Sequence, residues 1–286
     1  MRAYISTILA GICIGLVGLL VKLMDASVPP MTLSFLRALI GALFLLLLLP
    51  LIDTRMFRVS RTDLKSYMIL GMLMAINFSL FIAANSFAPV SNVVLLFYTF
   101  PFWLAIISHL FLKERVTKLH ILCLVIAFSG VLVINPFNDV ANFGNVLALL
   151  NALDYAVIYA YMRHIDKRHT IGVVFWFMLF AAVFLSPAPL VFGFGAVSWN
   201  YLWVLVLGVV STGLAYLFLN HGLKKLNALT SSLIMMTTEP LVAITVAIVF
   251  IGEIVTVNVL VGGILIITAG ILLEKKYNEP KSYSPP

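Results

Sequence analysis

Charge is what this sequence most lacks. Of its 286 residues 10% are Asp, Glu, Lys or Arg, while 63% are hydrophobic; soluble domains carry about a quarter charged residues and at most half apolar ones. That imbalance excludes a water-soluble fold. Cysteine is scarce too: Cys13 and Cys123 both lie inside apolar runs, so neither a disulfide framework nor a CxxC metal site can be read. There is no G-x-x-x-x-G-K-[ST] sequence and hence no sign of an ATP-hydrolysing motor in this chain. The GxGD sequence of intramembrane aspartyl proteases is also missing. The formal charge of +7 is not gathered into a stripe or tail and has no aromatic interleaving, which argues against a nucleic-acid partner. His109, His120 and His221 are scattered without metal-ligand spacing, so no metal and no cofactor is expected.

What is present is a series of apolar runs long enough to cross roughly 30 Å of hydrocarbon at about 1.5 Å per residue. They fall near 4–24, 31–52, 64–86, 90–112 and 118–135, then near 143–162, 171–190, 199–221, 229–251 and 256–274. The first run follows a single Arg2. It is longer than the apolar region of a secretory signal and more spans follow, so it reads as a retained helix. Connections are short, which favours antiparallel neighbours and leaves no room for a soluble domain. The Pro- and Ser-containing tail, 278–286, is expected to be disordered and cytoplasmic.

Basic residues fall in alternate connections. Arg2 is followed by Arg55, Arg58, Arg61 and Lys65, by Lys113, Arg115 and Lys118, by Arg163, Lys167 and Arg168, by Lys224 and Lys225, and by Lys275, Lys276 and Lys281. The intervening connections carry none; Lys22 and Arg37 lie within or at the ends of helices. The positive-inside rule then makes both termini cytoplasmic, which requires an even number of spans and agrees with ten. A multi-pass protein of the cell membrane is expected.

Sliding the chain against itself by 139 residues aligns Pro50 with Pro189, Pro101 with Pro240, Glu114 with Glu253 and Thr117 with Thr256. Each half holds five spans, an odd number, so the second copy enters the bilayer upside down relative to the first. The expected fold is all-α integral membrane: ten transmembrane helices as two inverted five-helix repeats, 1–138 and 139–277. Inverted repeats typify secondary transporters, where two pseudosymmetric conformations open a midplane site to each side in turn.

The segments Leu33 to Ala42 (LSFLRALIGA), Pro101 to Thr117 (ending LFLKERVT) and Glu239 to Thr256 (EPLVAITVAIVFIGEIVT) resemble the drug/metabolite transporter superfamily, EamA type. The resemblance covers nearly the whole chain. It implies a central cavity lined mainly by the first four helices of each half, with the fifth and tenth behind. One departure is that Trp176 stands where an arginine matching Arg37 would lie in the second half.

Several residues stand out as candidates for substrate binding or ion coupling. Glu239 lies in the middle of the ninth span, where an ionised side chain costs at least about 2.5 kcal/mol. The neighbouring Pro240 cannot donate to the carbonyl of Met236, which predicts a kink and a polar backbone site beside the carboxyl. Glu239 reads either as a protonatable coupling group or cation ligand, or as a neutral carboxyl bonded for packing. Asp154 shares a helical face with Asn151, Tyr155 and Ile158; its repeat mate is Gly15, so one half would supply charge and the other space. The alternative is an interhelical hydrogen bond. Arg37 and Lys22 could attract a carboxylate or phosphate, although Lys22 could equally make a solvated contact with Asp25, and Arg37 matches the family's habitual arginine. Tyr98, Thr99 and Trp103 surround Pro101, and Asn77, Ser79 and Asn85 with Ser211, Thr212, Tyr216 and Asn220 could extend a polar lining; each alone is as well explained by packing. Pro101 and Pro240 are the candidate kink or gating positions. Glu114 with Thr117 and Glu253 with Thr256 read as structural turns, the threonines capping the next helix.

The function expected is a secondary transporter or exporter of a small metabolite, amino-acid-like or another small organic solute, by alternating access with protons as a candidate coupling ion. The alternatives are a gradient-independent facilitator and, more remotely, an intramembrane enzyme using Asp154 and Glu239 as a carboxylate pair. A passive channel is disfavoured because charge rings and repeated filter loops are missing. The sequence is silent on oligomeric state.

Overall fold

The computed structural model describes residues 2–24, 27–51, 59–100, 102–104, 106–107, 122, 125–126, 128–130, 132–133, 141–165, 172–195, 200–223 and 228–277. Every regular element among them is helical. In chain order these are α1 (Arg2–Gly15), α2 (Val17–Leu23), α3 (Pro30–Leu48) with a short 3₁₀ turn at Leu49–Leu51, α4 (Arg61–Phe87), α5 (Val90–Phe97), α6 (Ala141–Ile165), α7 (Gly172–Leu185), α8 (Ala188–Phe192), α9 (Asn200–Gly208), α10 (Ala215–Leu223), α11 (Ala228–Val246) and α12 (Val257–Tyr277). A π turn, Val209–Leu214, joins α9 to α10, and a second, Ala247–Ile251, extends α11.

These elements follow the apolar runs closely, with breaks that hydropathy could not show. The first run divides at Leu16 into α1 and α2. The run near 171–190 divides at Ser186 and Pro187. Of the span expected near 118–135, only helical residues at 122, 125–126, 128–130 and 132–133 are described. Pro101, Glu114, Thr117, Asp25, His109, His120 and the tail 278–286 lie outside the described residues.

Among the described residues, five stretches are long and apolar enough to cross a membrane: Ala3–Leu23, Pro30–Leu48, Asp63–Phe87, Gly172–Phe192 and Asn200–Gly222. Shorter apolar helices occur at Phe143–Ile158, Thr238–Ile251 and Val257–Ala269. Large apolar side chains such as Leu47, Leu190, Leu241 and Ile264 point outward. In water they would form an extensive apolar surface; in a bilayer they meet acyl chains. The chain is a multi-pass membrane protein.

The most extensive packing joins helices distant in the chain, although α3 also lies against α4. α4 lies against α6 and α7, α1 against α10 and α11, and α3 against α7. Small residues allow these approaches, as lipid-embedded helices require when no hydrophobic force drives them together. A Cβ on Gly15 would stand 2.9 Å from the Glu239 carbonyl oxygen and 2.9 Å from Val242 Cβ, and one on Gly11 would stand 2.9 Å from Thr238 Cβ. Gly15 therefore does not open space opposite Asp154, as the repeat alignment suggested. Its missing side chain is filled by the backbone of α11.

At the end of the bundle where α2 stops and α5 begins, the Glu253 carboxylate binds the start of α5. It accepts from the Val90 amide at 3.0 Å and the Ser91 amide at 3.1 Å, and the Ser91 hydroxyl donates to it as well. A carboxylate there satisfies N–H groups that have no partner within the helix. Gly252, at φ 71°, makes the left-handed turn that ends the preceding π segment and delivers Glu253. Thr256 caps α12 through a long 3.4 Å contact from the Val259 amide.

Candidate functional site

Seven helices converge on one small cavity. It is lined by Ile14 of α1, Arg37 of α3, Asn77 and Phe81 of α4, Phe97 of α5, Asn151 and Tyr155 of α6, Tyr216 of α10 and Glu239 of α11. Its volume is about 30 Å³, room for a water molecule or two, whereas small-molecule sites usually run to a few hundred Å³. The polar groups are assembled, and the space between them is collapsed.

Glu239 is buried, with 2% of its surface exposed. The Tyr98 hydroxyl lies 2.8 Å from its Oε2 and 2.9 Å from the Met235 carbonyl oxygen one turn earlier on α11. The other carboxyl oxygen, Oε1, has no hydrogen-bond partner among the described residues. Pro240 stands inside α11 and has no amide hydrogen to offer, so the backbone beside Glu239 keeps an acceptor at Met236. Tyr98 reaches this place because α5 ends at Phe97. Tyr98 and Thr99 then form a turn whose amides bond to Val94 and Leu96, and the chain is helical again at Phe100.

Arg37 is held at two faces. Its Nε donates to Thr212 Oγ1 at 2.8 Å, and the guanidinium carbon lies 4.4 Å from the centroid of the Phe78 ring, a cation–π distance. It is 3% exposed. Arg37 and Glu239 line the same cavity and interact electrostatically, yet no ion pair within 4.0 Å joins them. Thr212 sits in the π turn between α9 and α10, and its hydroxyl donates to the Leu207 carbonyl five residues back at 2.8 Å.

A third polar group joins α4 to α6. Asn77 Nδ2 donates to Asn151 Oδ1 at 2.6 Å, and Asn77 interacts electrostatically with Asp154. Asp154 Oδ2 and Asn151 Nδ2 keep no partner among the described residues. Asp154 thus stands beside Asn77, a lining residue, without itself lining the cavity. Aromatic rings close the wall beside this group: Phe97 to Tyr155 at 5.0 Å between centroids, Phe100 to Tyr155 at 5.1 Å, and Phe81 to Phe97 at 5.7 Å.

Of the residues named from sequence, Glu239, Arg37, Asn77, Asn151, Tyr155 and Tyr216 line the cavity, and Tyr98 touches it through Glu239. Thr99 turns its hydroxyl back to the Leu96 carbonyl. Trp103 and Trp176 lie outside the lining, each with an indole nitrogen lacking a partner among the described residues; Trp176 stacks on Phe180. Lys22 is half-buried at the α2 end, where its electrostatic partner is Glu253. Ser79 and Asn85 bond to carbonyls of their own helix.

Ile14, Phe81 and Phe97 were not singled out from sequence. Phe81 follows Asn77 by four residues and shares its face, a signal that extending the Asn77 face would have used. Ile14 is one aliphatic residue among many in an apolar helix and carries no such mark.

The EamA-like transporter family model matches residues 1–135 and 142–274. The uncharacterized transporter YoaV of Bacillus subtilis is 27% identical over 84% of this chain and 85% of its own length. An uncharacterized transporter of Archaeoglobus fulgidus is 27% identical over 94% of each chain. The pseudopaline exporter CntI of Pseudomonas aeruginosa is 26% identical over 63% of each. One solved crystal structure superposes with a TM-score of 0.69 at 18% identity, over 97% of this chain and 99% of its own, a likeness of fold.

Proposed function

We propose, from the premise that this chain belongs to the EamA-like transporter family, that it is a secondary transporter exporting a small zwitterionic, amino-acid-like solute in exchange for protons. One observation carries this reading: Arg37 and Glu239 face a single cavity without an ion pair between them, and Glu239 Oε1 has no hydrogen-bond partner among the described residues. A guanidinium suits a carboxylate, a carboxylate suits an ammonium group, and the rings of Phe81, Phe97 and Tyr155 suit an apolar side chain. A cavity of about 30 Å³ admits no such solute, which fits a carrier whose site must open to one side before loading.

Proton exchange follows from competition. Glu239 can hold a proton or, as a carboxylate, face a substrate ammonium, and the two exclude each other because both need the same carboxylate oxygens. Loading substrate releases the proton; a proton arriving from the other side releases substrate. The relative named as a pseudopaline exporter supports an outward direction. The ten spans as two inverted repeats, with termini in the cytoplasm of a plasma membrane, belong to the same proposal. The charge alternation supports the orientation, and the family's match to 1–135 and 142–274 supports the repeat.

The test is counterflow in proteoliposomes with labelled α-amino acids, followed by uptake with and without an imposed pH gradient. Exchange that the gradient accelerates is expected. Exchange indifferent to the gradient would replace coupling with facilitation, and cleavage of peptide or lipid substrates without exchange would overturn transport altogether.

A further inference from the structure

We infer that Thr212 is a positioning residue for Arg37: the π turn in which it sits commits its hydroxyl proton to Leu207, so that its oxygen can only receive, and thereby fixes the guanidinium for a substrate carboxylate. The inference deepens the proposed function and rests on Arg37 binding the anionic group.

The directions of the two hydrogen bonds carry it. A threonine hydroxyl has one proton and two lone pairs. Here the proton goes to the Leu207 carbonyl at 2.8 Å, and the oxygen accepts from Arg37 Nε at 2.8 Å. In an ordinary helix a threonine hydroxyl bonds the carbonyl three or four residues back. The partner five residues back needs the wider register of Val209–Leu214. Thr212 is completely buried, so water does not compete for either bond.

The consequence falls on Arg37. Phe78 covers the guanidinium plane, at 4.4 Å from centroid to carbon, and Thr212 takes Nε. With Nε taken, the edge of the guanidinium that remains is the Nη pair, and Arg37 lines the cavity. A guanidinium pinned in this way keeps its paired Nη edge for a planar, two-oxygen acceptor, and loses less conformational entropy on binding than a free one would. Nothing in the sequence around Ser211 and Thr212 marks this role, since both are small polar residues in an apolar span.

The experiment compares Thr212→Val, which keeps the shape and removes both bonds, with Thr212→Ser, which keeps the hydroxyl. Proteoliposome exchange would be measured for a panel of α-amino acids and for their decarboxylated amines, with KM and kcat read separately. Thr212→Val should raise KM for carboxylate-bearing solutes by about tenfold, leave kcat within about a factor of two, and leave the amines unaffected. Thr212→Ser should restore the wild-type KM. An equal loss for acids and amines, or a Ser variant no better than Val, would overturn the inference. A second measurement needs no known substrate: the Arg37 Nε–H resonance in nanodiscs should be slow to exchange in wild type and Thr212→Ser and fast in Thr212→Val. Unchanged exchange in Thr212→Val refutes the positioning role. If that signal responds as expected but no amino acid is transported, the zwitterion reading fails and the positioning of Arg37 stands.

Discussion

The Tyr98 hydroxyl lies between two acceptors on one turn of α11, 2.8 Å from Glu239 Oε2 and 2.9 Å from the Met235 carbonyl oxygen. A phenol has one proton. When Glu239 is ionised, the proton is best given to the carboxylate. When Glu239 is protonated, the carboxyl can donate to Tyr98, and Tyr98 can donate to Met235. The protonation state of α11 thus sets the bonding of the turn that follows α5.

Glu239→Gln should therefore abolish stimulation of transport by a pH gradient and raise the KM for exchange, since the substrate ammonium loses its carboxylate, and the residual exchange should be flat across pH. Wild-type exchange should change with pH as the carboxyl gains or loses its proton. Accumulation in a pH gradient by the Gln variant at wild-type level would sink coupling through Glu239. Tyr98→Phe should keep coupling but shift the pH dependence, because one donor to the carboxylate is lost.

Arg37→Lys should not substitute for arginine. Lysine is a point donor and cannot keep both the Thr212 bond and a forked acceptor, so exchange of amino-acid-like solutes should fall by about tenfold to a hundredfold. The check is KM in proteoliposomes alongside thermal melting in detergent. Retained KM would remove Arg37 from the site.

Gly15→Val should disturb the packing of α1 on α11. Even a Cβ would meet the Glu239 carbonyl oxygen at 2.9 Å, and overpacking of this kind costs about 1 to 3 kcal/mol. A lowered melting temperature and a raised KM are expected together, since the displaced backbone carries Glu239. A melting temperature equal to wild type would show that α1 and α11 have slack at this crossing.

Glu253→Ala removes the acceptor for Val90 and Ser91. Loss of a helix cap costs about 0.5 to 2 kcal/mol, so backbone amides 90–91 should exchange hydrogen faster while those of α7 stay protected. Equal protection in the variant would mean that water replaces the carboxylate without loss.

Apolar run lengths, the shortage of charge and the alternation of basic connections were enough to identify a multi-pass helical membrane protein, because a bilayer allows few other solutions to a chain with these runs. Glu239 and Arg37 were visible for the same reason: an ionisable residue in a span needs a partner or a function. The partners themselves were not visible. Thr212 lies 175 residues from Arg37 and Tyr98 lies 141 residues from Glu239, and such pairings depend on which helices cross and in what register. The π turn that aims Thr212, the end of α5 that aims Tyr98, and the filling of Gly15 by α11 were decided by tertiary packing. Each depends on backbone geometry adapting to a neighbouring helix, which periodicity along a single span does not encode.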